Sequence, residues 1–244
     1  MATEVRRPAF YALARGGWRD YVTLLHVPYT AWHLSYVAVG AALTPAFAWD
    51  RLLPTLAAFF LAVGIGAHAL DELNGRPLRT EIPGPVLVAL AGASVVGAIA
   101  IGIAGAVLVD PLIAVFVAAG AFIVVAYNLE LVGGRFHGDL WFGLAWGAFP
   151  LLTGYFAAAG RVDAVALAGA VFAFALSRAQ RLLSTPVRDV RRRVKRVEGV
   201  VERRDGTLDA VTPDLLLQGK ELALRALALS AVTLAVTLVI MRAT

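Results

Sequence analysis

The chain of 244 residues contains no cysteine, and only 16% of its residues are charged. The missing cysteine excludes disulfides, thiolate metal ligands and a cysteine nucleophile, without deciding the compartment. The shortage of charge weighs more. Soluble domains carry roughly a quarter charged residues and about half apolar ones. Here 59% of residues are hydrophobic, and the mean hydropathy is +0.75. Internal repeats and low-complexity tracts are also missing. These absences leave one integral-membrane domain over 1–244. The net charge of +5 points to anionic membrane lipids rather than nucleic acid, because the basic residues flank apolar spans.

The first apolar run begins near residue 27. That is too far in and too long for the core of a signal peptide, so no cleavable signal is expected. Apolar runs follow at 28–49, 52–71, 84–108, 111–131, 138–160, 162–183 and 220–241, each near the ~20 residues that a bilayer core requires. The expected architecture is an all-α, polytopic bundle of about seven spans with an amphipathic cap. Residues 1–26, where arginines mix with Phe10, Tyr11, Trp18 and Tyr21, read as an interfacial segment. A six-span core over 27–183, a basic cap over 184–219 and a final span over 220–244 complete the division.

Basic residues orient the bundle. With the N-terminus inside, the inside pieces hold 18 of the 22 Lys and Arg, and the outer ends hold Arg51, Arg161 and Arg242. This bias places the protein in the cytoplasmic membrane, N-terminus inside. Asp50, Asp110 and Asp163 sit where outer loops enter helices and read as N-caps. Val187, Val190, Val194 and Val197 recur at helical spacing among arginines, as a basic amphipathic surface helix would have them. Asp205-Gly206 between β-prone flanks predicts a hairpin turn. Thr212-Pro213 predicts the N-cap and first position of the last helix.

One polar island interrupts the apolar pattern: HALDELNGRPLRTEIP, residues 68–83. Ionisable residues at the end of a membrane helix are costly unless they face protein, water or a ligand, so Asp71 and Glu72 are functional candidates. His68 lies one turn earlier on the same face. The solvated-end alternative pairs these acids with Arg76 or Arg79. Glu130, His137 and Asp139 offer a second carboxylate–His grouping that could meet His68 and Asp71 at a metal. His26 and His33, seven apart on one helix face, read as interfacial packing.

The island ending in Arg-Pro-Leu, Tyr127-Asn128 after the fourth apolar run, and Gly138-Asp139 opening the fifth follow one another in order. With the segment GDLWFGLAWGAFPLLTGYF, they resemble the UbiA-type intramembrane prenyltransferase superfamily over roughly residues 25–190. The resemblance implies a helical bundle around a cavity open to lipid. It implies magnesium ions held by two aspartate-rich motifs, and an isoprenoid diphosphate whose ionisation gives an allylic cation for an aromatic or other lipid-soluble acceptor. Aligned on Arg76-Pro77, the positions of the first motif are Ala67, His68, Asp71 and Gly75, of which Asp71 matches. Asp71 and His68 are then the catalytic candidates, with Asp71, His68 and Glu72 as Mg2+ ligands. Arg76, Arg79, Tyr127, Asn128, Arg135, Arg178 and Arg181 are candidates for holding the diphosphate. Where the second motif should lie, the chain reads LSRAQRLLSTPVRDVRRR, rich in arginine and holding one acid. Arginines there would clamp a diphosphate without metal. The alternative function is a non-catalytic relative that binds a lipid or a partner protein.

Overall fold

A computed structural model describes residues 7–244; the stretch before Arg7, Arg6 included, lies outside the described residues. The chain is mostly helical. In order it forms α1 (Trp18–Leu24), α2 (Val27–Leu43), α3 (Trp49–Leu73), α4 (Gly84–Leu108) and α5 (Ile113–Asn128). Then come α6 (Asp139–Ala159), α7 (Ala164–Arg192), the strands β1 (Val200–Glu202) and β2 (Leu208–Ala210), and α8 (Pro213–Ala243). Among the described residues, α3, α4, α6, α7 and α8 are long and apolar enough to cross a membrane. The expectation of seven spans also counted the runs that form α2 and α5, which have 17 and 16 residues. At ~1.5 Å per residue these are roughly 24–26 Å long, a little short of a bilayer core.

From α2 to α8 the helices alternate between two ends of the bundle. The basic end carries His26, the loop after α3, the start of α6 and the end of α7. At the other end Arg242 donates to the Ala42 carbonyl (2.8 Å) and Arg161 pairs with Asp163 (3.2 Å). Helix α2 is the axis: Trp32, Tyr36 and Val37 are fully buried, against Leu151 and Tyr155 of α6. Two glycines permit this approach. A Cβ on Gly40 would run into the Leu151 carbonyl, and one on Gly154 into the Val37 carbonyl. Small residues at a helix crossing are the usual means of close packing without a hydrophobic force between helices. Helix α4 is apolar yet largely exposed along Val88, Val96, Ile103 and Val107, as a lipid-facing helix is.

Both α3 and α6 contain a widened, π-helical stretch, at Phe60–Ala67 and Leu144–Ala148. Such insertions reorient side chains and often mark functional positions. In α6, Pro150 lies four residues beyond Trp146 and has no N–H to offer, so the Trp146 carbonyl is left open to other donors.

Local expectations fare unevenly. Asp163 caps α7, accepting from Val165 N–H (3.1 Å) and Ala166 N–H (3.2 Å), and Thr212 caps α8 through Leu215 N–H (3.2 Å). The Asp205-Gly206 hairpin is present, with Val200 opposite Ala210. Asp110 instead bonds Leu112 N–H ahead of α5, and Asp50 lies inside the first turn of α3 behind Ala48. The basic amphipathic helix is not separate: α7 runs unbroken through Pro186 to Arg192, roughly 43 Å in all. Nor does the N-terminal segment lie apart. Arg191 Nη1 donates to the Arg7 carbonyl (3.1 Å) and Arg192 Nε to the Pro8 carbonyl (3.4 Å), while Phe10 sits under Arg225, 5.1 Å from its centroid. Residues 8–12 therefore form a strap across the basic end.

Candidate functional site

Beneath that strap is a polar cavity of about 710 Å³. Its depth follows α7, from Arg192 at the mouth through Arg188 and Arg181 to Gln180 at the floor, roughly 18 Å. His68, Asp71, Tyr127, Asn128 and Arg181, expected from sequence, all line it. So do the other three histidines of the chain, His26, His33 and His137.

The rest of the expected set lies elsewhere. Glu72 is fully buried: one oxygen accepts from Leu78 N–H (2.9 Å), the other from Thr80 N–H (2.8 Å) and the Thr80 hydroxyl (2.9 Å). It folds the loop after α3 rather than facing the cavity. Arg76 Nη1 donates to the Ile82 and Thr80 carbonyls (2.6 and 3.3 Å) from a left-handed backbone, and Arg79 Nη2 donates to the Arg192 carbonyl (3.2 Å). Both tie that loop down. Buried Asp20 joins it to the N-terminal segment, accepting from Glu81 N–H (2.7 Å) and Gly16 N–H (3.1 Å). Arg135 does not line the cavity. Arg178 Nη1 sits 3.1 Å from Asp139 Oδ2, an ion pair without hydrogen-bond alignment.

Arg181 is fixed on three sides. Nε donates to Asp139 (2.8 Å), Nη1 to the Tyr127 hydroxyl (2.7 Å) and Nη2 to the His137 carbonyl (3.1 Å), and its guanidinium lies 5.0 Å from the Phe142 ring centroid. Arg188 is freer, with one hydrogen bond to Thr185 Oγ1 (3.2 Å). Arg188 and Arg192 were read from sequence as lipid-facing. The continuation of α7 through Pro186 turns them inward, and their four-residue spacing is the signal that would have grouped them with Arg181 and Ser184.

Three of the four histidines bond backbone carbonyls through Nδ1. His33 Nδ1 is 2.7 Å from the Trp146 carbonyl, His68 Nδ1 3.1 Å from that of Gly64, and His137 Nδ1 3.0 Å from that of Tyr127. A carbonyl only accepts, so each Nδ1 carries a proton and donates it. His26 stacks on His68, centroids 3.9 Å apart, and has a left-handed backbone at the mouth of α2. Burial, then the neighbouring His68, Arg192 and Arg188, hold its imidazole well below the usual histidine range. Tyr11 of the strap leans on it at 5.2 Å, and burial pushes that phenol above its ordinary value.

A second, apolar crevice of about 320 Å³ runs between α3, α4, α5 and α6 towards the opposite end, reaching Asp50 and Ile113. Val63 and Trp146 line both spaces. They come from the two π-helical stretches. The polar cavity and the apolar crevice thus share two wall residues.

A magnesium pair needs several anionic oxygens at near-octahedral geometry. Among the described residues, no three His, Asp or Glu side chains converge as a metal would require. Asp71 faces the cavity, Glu72 is committed to its loop, and Asp139 is held by two arginines. Glu130 reaches His137 Nδ1 at 4.0 Å without a third ligand. This donor set does not fit a two-magnesium centre. Comparison with protein-family profiles, curated proteins and solved structures returns no match for this chain. The likeness to the UbiA superfamily rests on the motifs alone.

Proposed function

We propose that the chain is a UbiA-like, seven-span intramembrane transferase acting on an isoprenoid diphosphate, with its basic end cytoplasmic. The observation that carries this reading is that an arginine-lined cavity and an apolar crevice lie on either side of shared wall residues, Val63 and Trp146. A head bearing several negative charges suits Arg188 and Arg192, and a hydrocarbon tail suits the crevice. Breaking the allylic C–O bond leaves the electron pair on the diphosphate. Guanidinium groups aimed there in a water-poor bundle stabilise that charge as it develops. The allylic cation would lie beside Tyr127, Phe142 and Trp146, the Phe142 and Trp146 ring centroids being 6.2 and 5.2 Å from that of Tyr127, and aromatic faces attract cations. A lipid-soluble acceptor then bonds to the cation and gives up a proton, which the released diphosphate takes. A non-catalytic lipid-binding role has one observation in its favour: Arg181 in the cavity is already bonded on three sides.

Binding of a nonhydrolysable farnesyl diphosphonate to the purified protein, with Mg2+ and with chelator, tests the reading. Binding should persist in chelator and weaken about tenfold in Arg188→Gln, the loss of roughly one charge-assisted bond. Binding that requires Mg2+ and Asp71 but ignores Arg188 would restore the metal-dependent mechanism. No binding in either condition would remove the isoprenoid reading.

A further inference from the structure

The apolar crevice has a charged end that the transfer reaction leaves unused. Among the described residues that line it, Asp50 and Arg51 alone carry charge. Both stand in the first turn of α3, at the end of the bundle opposite the arginine-lined cavity. Arg51 Nε lies 3.8 Å from Asp50 Oδ2, too long for a hydrogen bond, and the Asp50 side chain is 76% exposed. Arg51 Nη1 is buried and has no hydrogen-bond partner among the described residues. Thr55 and Thr153, in the same walls, spend their hydroxyl protons on the Arg51 and Phe149 carbonyls (2.7 and 2.8 Å).

An arginine at the end of a membrane helix ordinarily extends its head into water. Here part of the head is covered instead. Arginine keeps its charge in apolar surroundings, so a covered N–H on it calls for an anionic acceptor. The crevice sets the rest of the ligand. From Arg51 to Val63, α3 rises roughly 18 Å, close to the ~15 Å that one leaflet contributes to a bilayer core. A volume of about 320 Å³ is at the small end for a ligand site and suits one hydrocarbon chain. Leu108 and Val109, at the end of α4, line the crevice and are exposed, which puts its charged end at the molecular surface.

We propose that the crevice binds a single-chain amphiphile with a monoanionic head, a long-chain carboxylate, its head at Arg51 and its chain running inwards towards Val63 and Trp146. A monoanion suits one guanidinium with Asp50 beside it. A dianionic phosphate head would meet that acid with a single cation to answer it. The site does not depend on the transferase reading. Where both hold, the carboxylate's chain and the prenyl tail claim one crevice from opposite ends and exclude each other.

Equilibrium binding of radiolabelled palmitate to the intact protein in nanodiscs tests it. Binding should saturate above the level of empty nanodiscs, with unlabelled palmitate competing better than hexadecanol or hexadecyl phosphate. Arg51→Gln should weaken palmitate about tenfold, the loss of one charge-assisted contact. Ala98→Phe, which places a ring in the crevice wall, should abolish binding. Gly92→Ala, on the same helix but away from the crevice, should leave it unchanged. Binding that ignores Arg51 and falls in Arg188→Gln would put the carboxylate in the arginine-lined cavity and overturn the site. So would binding unchanged in Ala98→Phe, hexadecanol or hexadecyl phosphate competing as well as palmitate, or no saturable binding at all. The farnesyl diphosphonate titration is read separately: its failure removes the transferase reading and leaves the palmitate result standing.

Discussion

At the scale of single residues, the polar island pointed to Asp71 and His68 and the family resemblance to Tyr127 and Arg181, and all four line one cavity. The same reasoning misplaced Glu72, because a carboxylate beside a cavity and one that closes a loop look alike in sequence. What separates them is the ring of N–H donors supplied by Leu78 and Thr80. His26 was read as packing. Its place at the mouth depends on a left-handed backbone at φ 45° and on stacking against a helix over forty positions away, neither of which leaves a local signature. Its neutral state has a consequence for stability. The unfolded imidazole titrates near ~6.5, whereas burial and nearby cations hold the folded one well lower. Between those values the unfolded chain binds the proton that the folded chain refuses. His26 therefore contributes fully above about pH 6.5, and that contribution is lost as the pH falls towards the folded value. The melting temperature of His26→Phe should fall less than that of the wild type between about pH 7 and about pH 5. Identical pH slopes would contradict the burial of a neutral ring.

At the scale of elements, the apolar runs were legible because the bilayer imposes a length, and the caps at Asp163 and Thr212 because polar side chains answer free N–H groups at short range. The course of α7 was not. The sequence reading ended the span at 183 and began a separate basic cap, yet the helix continues through Pro186 and its last turns bring Arg188 and Arg192 into the site. Arg191, on the same turns, pairs with Glu221 of α8, Nη2 to Oε2 at 2.9 Å, in a largely buried contact. The π-helical stretches were equally hidden, although Pro150 was a visible reason for a rearranged hydrogen bond in α6. The crossing of α2 and α6 is the element-scale feature most exposed to mutation. Gly154→Leu drives a side chain into the Val37 carbonyl. It should cost about 3 kcal/mol or more, seen as a lowered melting temperature in detergent. Gly92→Ala on α4, with open space around it, should be neutral or stabilising by about 0.5–1 kcal/mol. Equal tolerance of both changes would contradict the close packing of α2 on α6.

At the scale of the whole molecule, the fold sorts chemistry along one axis. Arginines and the N-terminal strap close the basic end, His33 and Gln180 form the floor, and an apolar crevice lies towards the other end. Composition made the bundle legible and charge counting distinguished its ends. How the chambers join is a matter of tertiary packing, which no local pattern encodes. Entry of a ligand's tail into the crevice while its head sits in the polar cavity is what the proposed function depends on. A farnesyl diphosphonate carrying a diazirine at the far end of its tail, photolysed in the bound state and mapped by mass spectrometry, measures it. Adducts on crevice residues such as Ile99, Phe116 and Phe149 are the predicted result, lost when unlabelled analogue competes. Adducts confined to the lipid-exposed face of α4, at Val88, Val96 or Val107, would mean that the tail never enters the bundle and would contradict the reading.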